Sequence, residues 1–308
     1  MAKKYDVIVI GAGPGGLTAG LYASRANLSV LILDRGIYGG QMNNTAEVEN
    51  YPGFKSILGP DLAEKMYQGA TQFGAEYAYG SVEKVEVNGD LKQVITDSET
   101  YEAPVVIIAT GSQYRKLGVE GEVEYAGRGV SYCAVCDGAF FKDQPLAVIG
   151  GGDSAVEEGV YLAKLASNVN IIHRRDQLRA QKILQERAFA NDKIDFTWDT
   201  VVTKINGDGQ KVTSVSTHNK KTGEDGELKV NGVFIYVGVI PLSEPFKELG
   251  ITDEQGWIKT DELMQTSLPG VYAIGDVRAK ELRQITTAVG DGSIAGQQAF
   301  NYLESLKD

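Results

Sequence analysis

The chain has 308 residues and a formal net charge of −11, and 43% of its residues are hydrophobic. This length suits two domains with a core in each. The acidic balance argues against a general surface for nucleic acid or anionic membranes, because clustered Lys and Arg bind phosphate groups. No segment approaches the roughly 20 apolar residues of a membrane span. We therefore expect a cytoplasmic protein that binds neither nucleic acid nor membrane.

The N-terminal region predicts a strand, a glycine-rich turn, a helix and a second strand. We expect a buried parallel strand over Tyr5–Ile10, a helix over Leu17–Ala26 and a strand over Ser29–Leu33, which ends at Asp34. This order is typical of a dinucleotide-binding βαβ unit.

The turn in this unit is GAGPGG, in which Gly11, Gly13 and Gly16 have the GxGxxG spacing. The first glycine makes the tight turn, the second lets backbone approach a pyrophosphate, and the third allows close packing of helix and strand. The pyrophosphate is expected at the helix N-terminus. Asp34 can accept hydrogen bonds from ribose hydroxyls and would repel a 2′-phosphate.

The segment SYCAVCDGAFF contains Cys133 and Cys136, the only two cysteines of the chain. A zinc site would need four N or S ligands, and only His173 and His218 are available besides the cysteines. A structural disulfide over two residues would remove little chain entropy. A redox couple is favoured, because a Cys-x-x-Cys pair stabilises the reactive thiolate.

Three neighbours of the pair are also candidates. Asp137 is near enough in sequence to exchange a proton with a thiol or a reduced flavin, although it could instead cap the segment that follows. Phe140 and Phe141 are typical of a core, and a docking role is the alternative. With no third cysteine, electrons on the pair must leave to an external acceptor.

The dinucleotide pattern returns after the cysteines. A strand is predicted over Leu146–Ile149, a helix over Ser154–Leu165 and a strand over Val169–Ile172. Gly150 and Gly152 begin a second turn of the same spacing, which Ala155 completes. Two such units imply two nucleotides.

The residue that closes the second strand distinguishes the two units. It is Asp34 in the first and His173 in the second, each 23 positions after the first glycine of its turn. Arg174, Arg175 and Arg179 follow His173, and guanidinium groups bind phosphate oxygens in a forked geometry. This cluster predicts a 2′-phosphate site and hence NADPH. The alternative is a solvated helix start with charges paired to nearby acids.

The chain closely resembles the low-molecular-weight bacterial thioredoxin reductases over nearly its whole length. The shared motifs are GAGPGG, GGQMNNTAEVENYPG at 39–53, ATG at 109–111, CAVCDG at 133–138, GGGDSAVEE, HRRDQLR, PGVYAIGD at 269–276 and RQITTAVGDG at 283–292. The resemblance implies an α/β fold of two Rossmann-like three-layer domains. The FAD domain would comprise 1–116 and 246–308, with an NADPH domain that carries the cysteines inserted at 117–245. The residues alone would place the C-terminal third with the second unit.

The count of possible ligands predicts no metal site, and the resemblance implies the residues that bind the two cofactors. For FAD they are Gly11, Gly13, Pro14, Gly16, Asp34, Arg35, Gly39, Gly40, Gln41, Asn50, Ala109, Thr110, Gly111, Gly275, Asp276, Arg283, Gln284 and Ile285. For NADPH they are Gly150, Gly152, Asp153, Ser154, His173, Arg174, Arg175 and Arg179.

The implied activity carries electrons from NADPH through FAD to Cys133–Cys136 and then to the disulfide of thioredoxin. By this analogy Cys136 faces the flavin, Cys133 attacks thioredoxin and Asp137 donates the proton. The family implies rotation of the NADPH domain about linkers at 113–119 and 240–246, and a homodimer formed through the FAD domain. The segment VIPLSEPF at 239–246 lacks the Pro-Asn-Thr of many relatives, and Ala139 adds a residue compared with some members.

Two other functions are compatible with these motifs. One is a related flavoenzyme, such as a ferredoxin-NADP reductase, which would not need the cysteines, or the flavin subunit of a peroxide-reducing system, which normally has an added N-terminal redox domain. The other is a flavoprotein sensor whose cysteines report redox state to a partner. Slow NADPH oxidation in the presence of thioredoxin would indicate a sensor.

Overall fold

The computed structural model describes residues 2–45 and 47–307; Met1, Asp308 and Ala46, which belongs to the motif at 39–53, lie outside the described residues. The chain forms two compact units. The first contains the residues up to Gln113 and those from Ile240 onward, and the second, Tyr114–Val239, is inserted between them. The chain passes between the units through β11 (Ser112–Tyr114) and β20 (Val239–Pro241).

The first unit has three layers around a parallel five-stranded sheet. The strands of that sheet lie in the order β21 (Val271–Ala273), β10 (Val105–Ile108), β2 (Val7–Ile10), β3 (Val30–Asp34) and β6 (Glu76–Tyr79). A second sheet has the order β1 (Lys3–Lys4), β9 (Thr100–Ala103), β8 (Leu91–Thr96) and β7 (Val82–Asn88). The helices are α1 (Pro14–Arg25), α2 (Gly59–Thr71) and α6 (Ile285–Ser305).

Alternation along the strands builds two cores in this unit. Val7 and Val9 point to a cluster shared with the helices, whereas Ile8 and Ile10 point to a cluster shared with the second sheet. Both faces of the parallel sheet are therefore covered, which explains why these strands are continuous apolar runs.

Helix α1 begins earlier and strand β2 begins later than predicted. The helix begins at Pro14, where the missing N–H of proline costs no helical hydrogen bond. The strand begins at Val7 because the carboxylate of Asp6 instead accepts the backbone N–H of Ser29, at 2.7 Å.

Helix α6 packs closely against α1 through small residues. A Cβ atom at Gly292 would lie 2.3 Å from the carbonyl oxygen of Gly15, and one at Gly296 would lie 2.7 Å from the Cβ of Tyr22. Only glycine permits this approach of two backbones. The C-terminal helix thus completes the core begun by the N-terminal strand.

The first unit also contains several shorter elements. Strands β4 (Glu47–Val48) and β5 (Ile57–Leu58) pair antiparallel. Short 3₁₀ helices occur at Gly40–Asn44, Glu244–Leu249 and Gly275–Val277.

The second unit repeats the three-layer plan. Its parallel sheet has the order β12 (Val130–Ser131), β19 (Gly232–Tyr236), β13 (Pro145–Gly150), β14 (Asn168–Ile172) and β15 (Ile194–Thr197). An antiparallel sheet consists of β16 (Thr200–Gly207), β17 (Val212–Asn219) and β18 (Asp225–Lys229). The helices are α3 (Ala134–Asp137), followed by a 3₁₀ turn at Gly138–Phe141, α4 (Asp153–Ala163) and α5 (Lys182–Phe189).

The second unit also has one core on each face of its parallel sheet. Leu146 and Val148 belong to the cluster that packs against the helices, whereas Ala147 and Ile149 belong to the cluster shared with the antiparallel sheet. The predicted fold class, two Rossmann-like three-layer α/β domains with one inserted in the other, is confirmed.

Candidate functional site

The GAGPGG turn of the first unit has one open position between two crowded ones. A Cβ atom at Gly11 would lie 2.3 Å from the carbonyl oxygen of Ala109, and one at Gly16 would lie 1.8 Å from that of Gly11. Nothing lies within 4 Å of a Cβ atom at Gly13. Gly13 precedes Pro14 at the start of α1, and no side chain caps this helix end. The turn therefore leaves space and backbone N–H groups for a pyrophosphate.

Asp34, at the end of β3, is oriented by the backbone. Its Oδ2 accepts the N–H of Ala12 at 2.6 Å, and its Oδ1 accepts the N–H of Gly36 at 2.8 Å. Each carboxylate oxygen keeps a second lone pair for a ribose hydroxyl. Arg35, which follows, is exposed.

The segment at Gly39–Gln41 closes over the same turn. Gly39 donates its N–H to the carbonyl of Ala12 at 2.8 Å, and a Cβ atom at Gly40 would lie 3.3 Å from the Cα of Gly13. The amide of Gln41 donates to the carbonyl of Ser112 at 3.2 Å. Sequence positions far apart are thus brought to one edge of the parallel sheet.

The ATG motif continues this edge. Ala109 donates its N–H to the carbonyl of Ile10 at 2.7 Å, and the hydroxyl of Thr110 donates to the carbonyl of Leu242 at 2.6 Å. The carbonyl of Gly111 accepts the N–H of Leu242 at 3.0 Å. These hydrogen bonds fix the position of the motif. Because the Thr110 hydroxyl donates its proton to Leu242, it does not donate that proton to a ligand.

Two buried polar atoms of the first unit have no hydrogen-bond partner within the described residues. They are Oδ1 of Asp276 and Nε of Arg283. Burial raises the pKa of Asp276, although Lys280 and Arg283 act in the opposite direction. The Arg283 guanidinium lies 3.8 Å from the ring centroid of Trp257. Unsatisfied buried atoms of this kind are costly without a ligand, so the residues fit the polar ribityl or phosphate part of FAD.

The start of α6 is held by a reciprocal cap. The Gln284 side chain and the hydroxyl of Thr287 each accept a backbone N–H of the other residue. The amide of Asn50 donates to Oε1 of Gln284 at 3.0 Å. Ile285 is the first residue of the helix. Asn50, Gln284 and Ile285 therefore lie together at the start of α6.

Asp291, which the sequence analysis missed, fixes the segment of Asp276. It is 9% exposed, it pairs with Arg278 and Lys280 at 2.9 Å each, and it accepts the N–H of Gly275 at 2.9 Å. The motif AVGDG offered no signal for this role, because the partners lie more than ten positions earlier.

The turn of the second unit has the same construction. Gly150 has a φ of +153°, and a Cβ atom there would lie 2.5 Å from the carbonyl oxygen of Tyr236. Nothing lies within 4 Å of a Cβ atom at Gly152. Asp153 accepts the backbone and side-chain N–H groups of Gln181, at 2.8 Å each. Asp153 thus positions a neighbouring loop, and the exposed Ser154 is left facing solvent.

The basic cluster surrounds a buried histidine. His173 is 4% exposed, and its Nε2 has no partner within the described residues. Burial lowers the pKa of His173, and the charges of Arg179, Arg175 and Arg174 lower it further. All three arginines are exposed. No carboxylate of the described residues forms an ion pair with these arginines. This disfavours the alternative in which their charges are paired with nearby acids. Three exposed guanidinium groups without such acids fit a phosphate ligand.

Cys133 and Cys136 form a disulfide with a Cα–Cα distance of 5.4 Å. Cys133 precedes α3, and its Sγ accepts the N–H of Cys136 at 3.1 Å. The hydroxyl of Ser131 accepts the N–H of Cys133 at 3.0 Å. Cys136 is exposed and Cys133 is half-buried, so an external thiol can reach the pair.

Tyr236 contacts the residue that follows Cys133, and Glu158 lies close enough to Tyr236 for its charge to affect the pKa of Tyr236. The hydroxyl of Tyr236 accepts the N–H of Ala134 at 3.2 Å. Glu158 is 8% exposed on α4, and burial together with the charge of Glu157 raises its pKa to about 8. The charge of Glu158 also contributes to the raised pKa of Tyr236, for which burial is the larger cause. Neither residue was predicted from the sequence.

The neighbours of the cysteines have separate environments. Asp137 makes no side-chain cap for the 3₁₀ turn that follows, which disfavours the capping alternative. Phe141 packs edge-to-face on Phe234, with ring centroids 5.7 Å apart, whereas Phe140 is 76% exposed. The phenylalanine pair is therefore divided between core and surface.

Across residues 2–45 and 47–307, no group of three or more His, Cys, Asp or Glu side chains could hold a metal ion. None of the described helices combines the length and apolar character that crossing a bilayer requires.

A glycine-rich turn of the dinucleotide-binding type in each unit and a Cys-x-x-Cys disulfide in the second unit define a nucleotide-dependent disulfide oxidoreductase. Residues 5–292 match the family described as pyridine nucleotide-disulphide oxidoreductase. Among similar proteins, the thioredoxin reductase of Listeria innocua is 62% identical and that of Bacillus subtilis 58%, each over 99% of this chain and at least 96% of the relative.

Solved structures agree with this assignment. The thioredoxin reductase of Lactococcus lactis in its FR conformation has a TM-score of 0.97 and 54% identity, covering 98% of this chain and 99% of that one. The thioredoxin reductase of T. acidophilum has a TM-score of 0.94 and 38% identity, covering 99% of both chains. The chain belongs to the pyridine nucleotide-disulphide oxidoreductase family, and the predicted resemblance to bacterial thioredoxin reductases is confirmed.

Proposed function

We propose that the chain reduces the disulfide of thioredoxin with electrons from NADPH, using FAD and the Cys133–Cys136 pair. The observation that carries this function is the disulfide itself, partly exposed in the unit that also contains the Gly152 turn and the arginine cluster. A sensor or an electron carrier of another kind would not need these three features in one unit.

FAD is assigned to the first unit and NADPH to the second. The open turn at Gly13, the oriented carboxylate of Asp34 and the unpartnered atoms of Asp276 and Arg283 would hold FAD. When bound, FAD supplies the two-electron chemistry that links a pyridine nucleotide to a disulfide.

The second unit offers a comparable set for NADPH. The open turn at Gly152 would take its pyrophosphate, and Arg174, Arg175 and Arg179 would bind its 2′-phosphate. The buried Nε2 of His173 supports the same assignment, because it lacks a partner within the described residues.

We assign Cys133 as the thiol that attacks thioredoxin. The N–H of Cys136 points at Cys133 Sγ, at 3.1 Å, and this donor would stabilise a thiolate there. Attack forms a mixed disulfide, and the thiol of Cys136 then resolves it and regenerates the Cys133–Cys136 bond. Asp137 would hold the proton exchanged with these sulfurs.

Three other parts of the proposal concern the surroundings of the reaction. Phe140 offers thioredoxin an exposed apolar side chain four residues after Cys136. A cytoplasmic location is proposed because a cycling dithiol needs a reducing compartment. A homodimer is proposed from the resemblance to relatives, with the FAD unit as its interface.

The test is NADPH consumption with and without thioredoxin, with a disulfide dye as a second acceptor. Cys136→Ser should reduce thioredoxin-dependent turnover to background, because the mixed disulfide can no longer be resolved. Ala139→Ser is the matched control: it adds a serine at an exposed position three residues away and keeps both sulfurs. Full thioredoxin-dependent turnover in Cys136→Ser would refute the assignment.

A further inference from the structure

The chain crosses the edge of the second unit's parallel sheet at the redox disulfide. Tyr132 packs against the core that the sheet shares with the antiparallel strands. Ala134 is fully buried in the core on the opposite, helical face. Cys133 lies between them, so its two neighbours are fixed in different cores.

The anchor on the helical side is the hydrogen bond from Ala134 to Tyr236, at 3.2 Å. The anchor on the other side is Tyr132, whose hydroxyl donates to Oε1 of Glu122. Glu122 is 2% exposed. A carboxylate at this depth is tolerated only when hydrogen bonds satisfy its oxygens.

Glu122 obtains those bonds from the segment where the chain enters the second unit. It accepts the N–H of Leu117 at 2.7 Å and the N–H of Gly118 at 2.6 Å. Burial alone would raise the pKa of Glu122, but the bonds from Tyr132, Leu117 and Gly118 bring it below its ordinary value. An ionised, buried carboxylate therefore joins this segment to the residue before Cys133.

We propose that Glu122 is a positioning residue for the redox disulfide, acting through Tyr132 to hold Cys133 within reach of Cys136. The relevance of this role to turnover rests on the proposed function. Closing a disulfide depends on how often the two sulfurs meet, and restricting the movement of one cysteine raises that frequency. The anchor thus favours the disulfide over the dithiol.

The measurement is the thiol–disulfide equilibrium of the FAD-loaded protein with dithiothreitol. One dithiothreitol gives two electrons and two protons to the Cys133–Cys136 bond, which yields two thiols and one cyclic oxidised dithiothreitol. The mixture is trapped by alkylation, and mass spectrometry counts the modified cysteines. Neither NADPH nor thioredoxin takes part, so failure of the proposed function would not be mistaken for failure of this inference.

Tyr132→Phe removes one oxygen atom and keeps the ring in the core. We expect its equilibrium to shift roughly three- to tenfold toward the dithiol, because one charge-assisted anchor is lost. Glu122→Gln should shift in the same direction. The matched control is Tyr101→Phe, since Tyr101 is 4% exposed in the first unit and donates to Glu99 at 2.7 Å. The control should leave the equilibrium unchanged.

An equilibrium in folded Tyr132→Phe equal to that of the unsubstituted protein would overturn the proposal. An equal shift in Tyr101→Phe would also overturn it, because the effect would then be one of general stability. If Glu122→Gln does not fold, Tyr132→Phe decides the question alone.

Discussion

Gly16 packs so closely on the carbonyl of Gly11 that a Cβ atom at Gly16 would lie 1.8 Å from that oxygen. Gly13, between them, has open space around the same position. The three glycines of this motif therefore have different roles. Gly11 and Gly16 allow close packing within the fold, and Gly13 leaves space for the ligand.

Alanine substitutions should separate these purposes. Gly16→Ala should prevent folding of the first unit, because the turn cannot move away from a backbone carbonyl without losing its packing. Gly13→Ala should fold and remain colourless, because the added methyl occupies the pyrophosphate space. Circular dichroism and flavin absorbance test the two variants. A yellow Gly13→Ala protein would show that the pyrophosphate lies elsewhere.

The arginine cluster predicts a selective defect. Arg174→Ala and Arg175→Ala should each raise the KM for NADPH roughly tenfold or more, since each loses a charge-assisted bond to phosphate. The KM for NADH should change little. Arg187→Ala, an exposed arginine of α5, is the control. Equal losses with both nucleotides would count against a 2′-phosphate site.

The unpartnered oxygen of Asp276 predicts weaker flavin binding in Asp276→Asn. The amide keeps the shape of the carboxylate and removes its charge, so the Kd for FAD should rise roughly ten- to a hundredfold. Recovery of flavin fluorescence on dilution measures the release. Asp97→Asn, at an exposed position of the same unit, should keep its flavin. Equal retention by both variants would remove Asp276 from the site.

Glu158 predicts a pH dependence of stability in the second unit. Its pKa rises from 4.5 to about 8 on folding, so the folded state binds more protons between these two pH values. The stabilisation is complete below about 4.5 and is lost as the pH rises through about 8. As the pH rises between these two values, the titration of Glu158 lowers the free energy of unfolding by at most ~1.4 kcal/mol per pH unit.

Glu158→Gln should abolish that slope, because glutamine does not titrate. Urea denaturation at several pH values between the two limits provides the comparison. Glu157→Gln, on the exposed side of α4, should alter the slope only slightly, by removing a neighbouring charge. Parallel pH profiles for Glu158→Gln and the unsubstituted protein would contradict the prediction.

The sequence was sufficient for the features that depend on local order. Strands β2 and β13 are apolar runs, and each precedes a glycine turn of fixed spacing. The residues alone therefore identified each strand as the first strand of a dinucleotide-binding unit. The cysteine pair was evident from its spacing. The nesting of the units came only from the resemblance, because no local pattern assigns β21 to a sheet that begins more than 260 residues earlier.

The sequence was insufficient for features that depend on burial and distant partners. Glu122 and Glu158 are acidic residues among 41 Asp and Glu, and nothing in their neighbours marks them as buried. Asp153 shows the opposite case: its place in the motif suggested a ligand, and the structure uses its carboxylate to hold Gln181. Such roles depend on tertiary packing.

The closure of α6 on α1 has a consequence for synthesis on the ribosome. The N-terminal strands of the first unit are made before the inserted unit, whereas β21 and α6, which complete the sheet and the core of the first unit, are made after it. The inserted unit has all its strands once Tyr236 has emerged, and domains generally fold as units during translation. The inserted unit should therefore adopt its native structure first, while the N-terminal part of the first unit stays partly exposed to chaperones until β21 and α6 have been made.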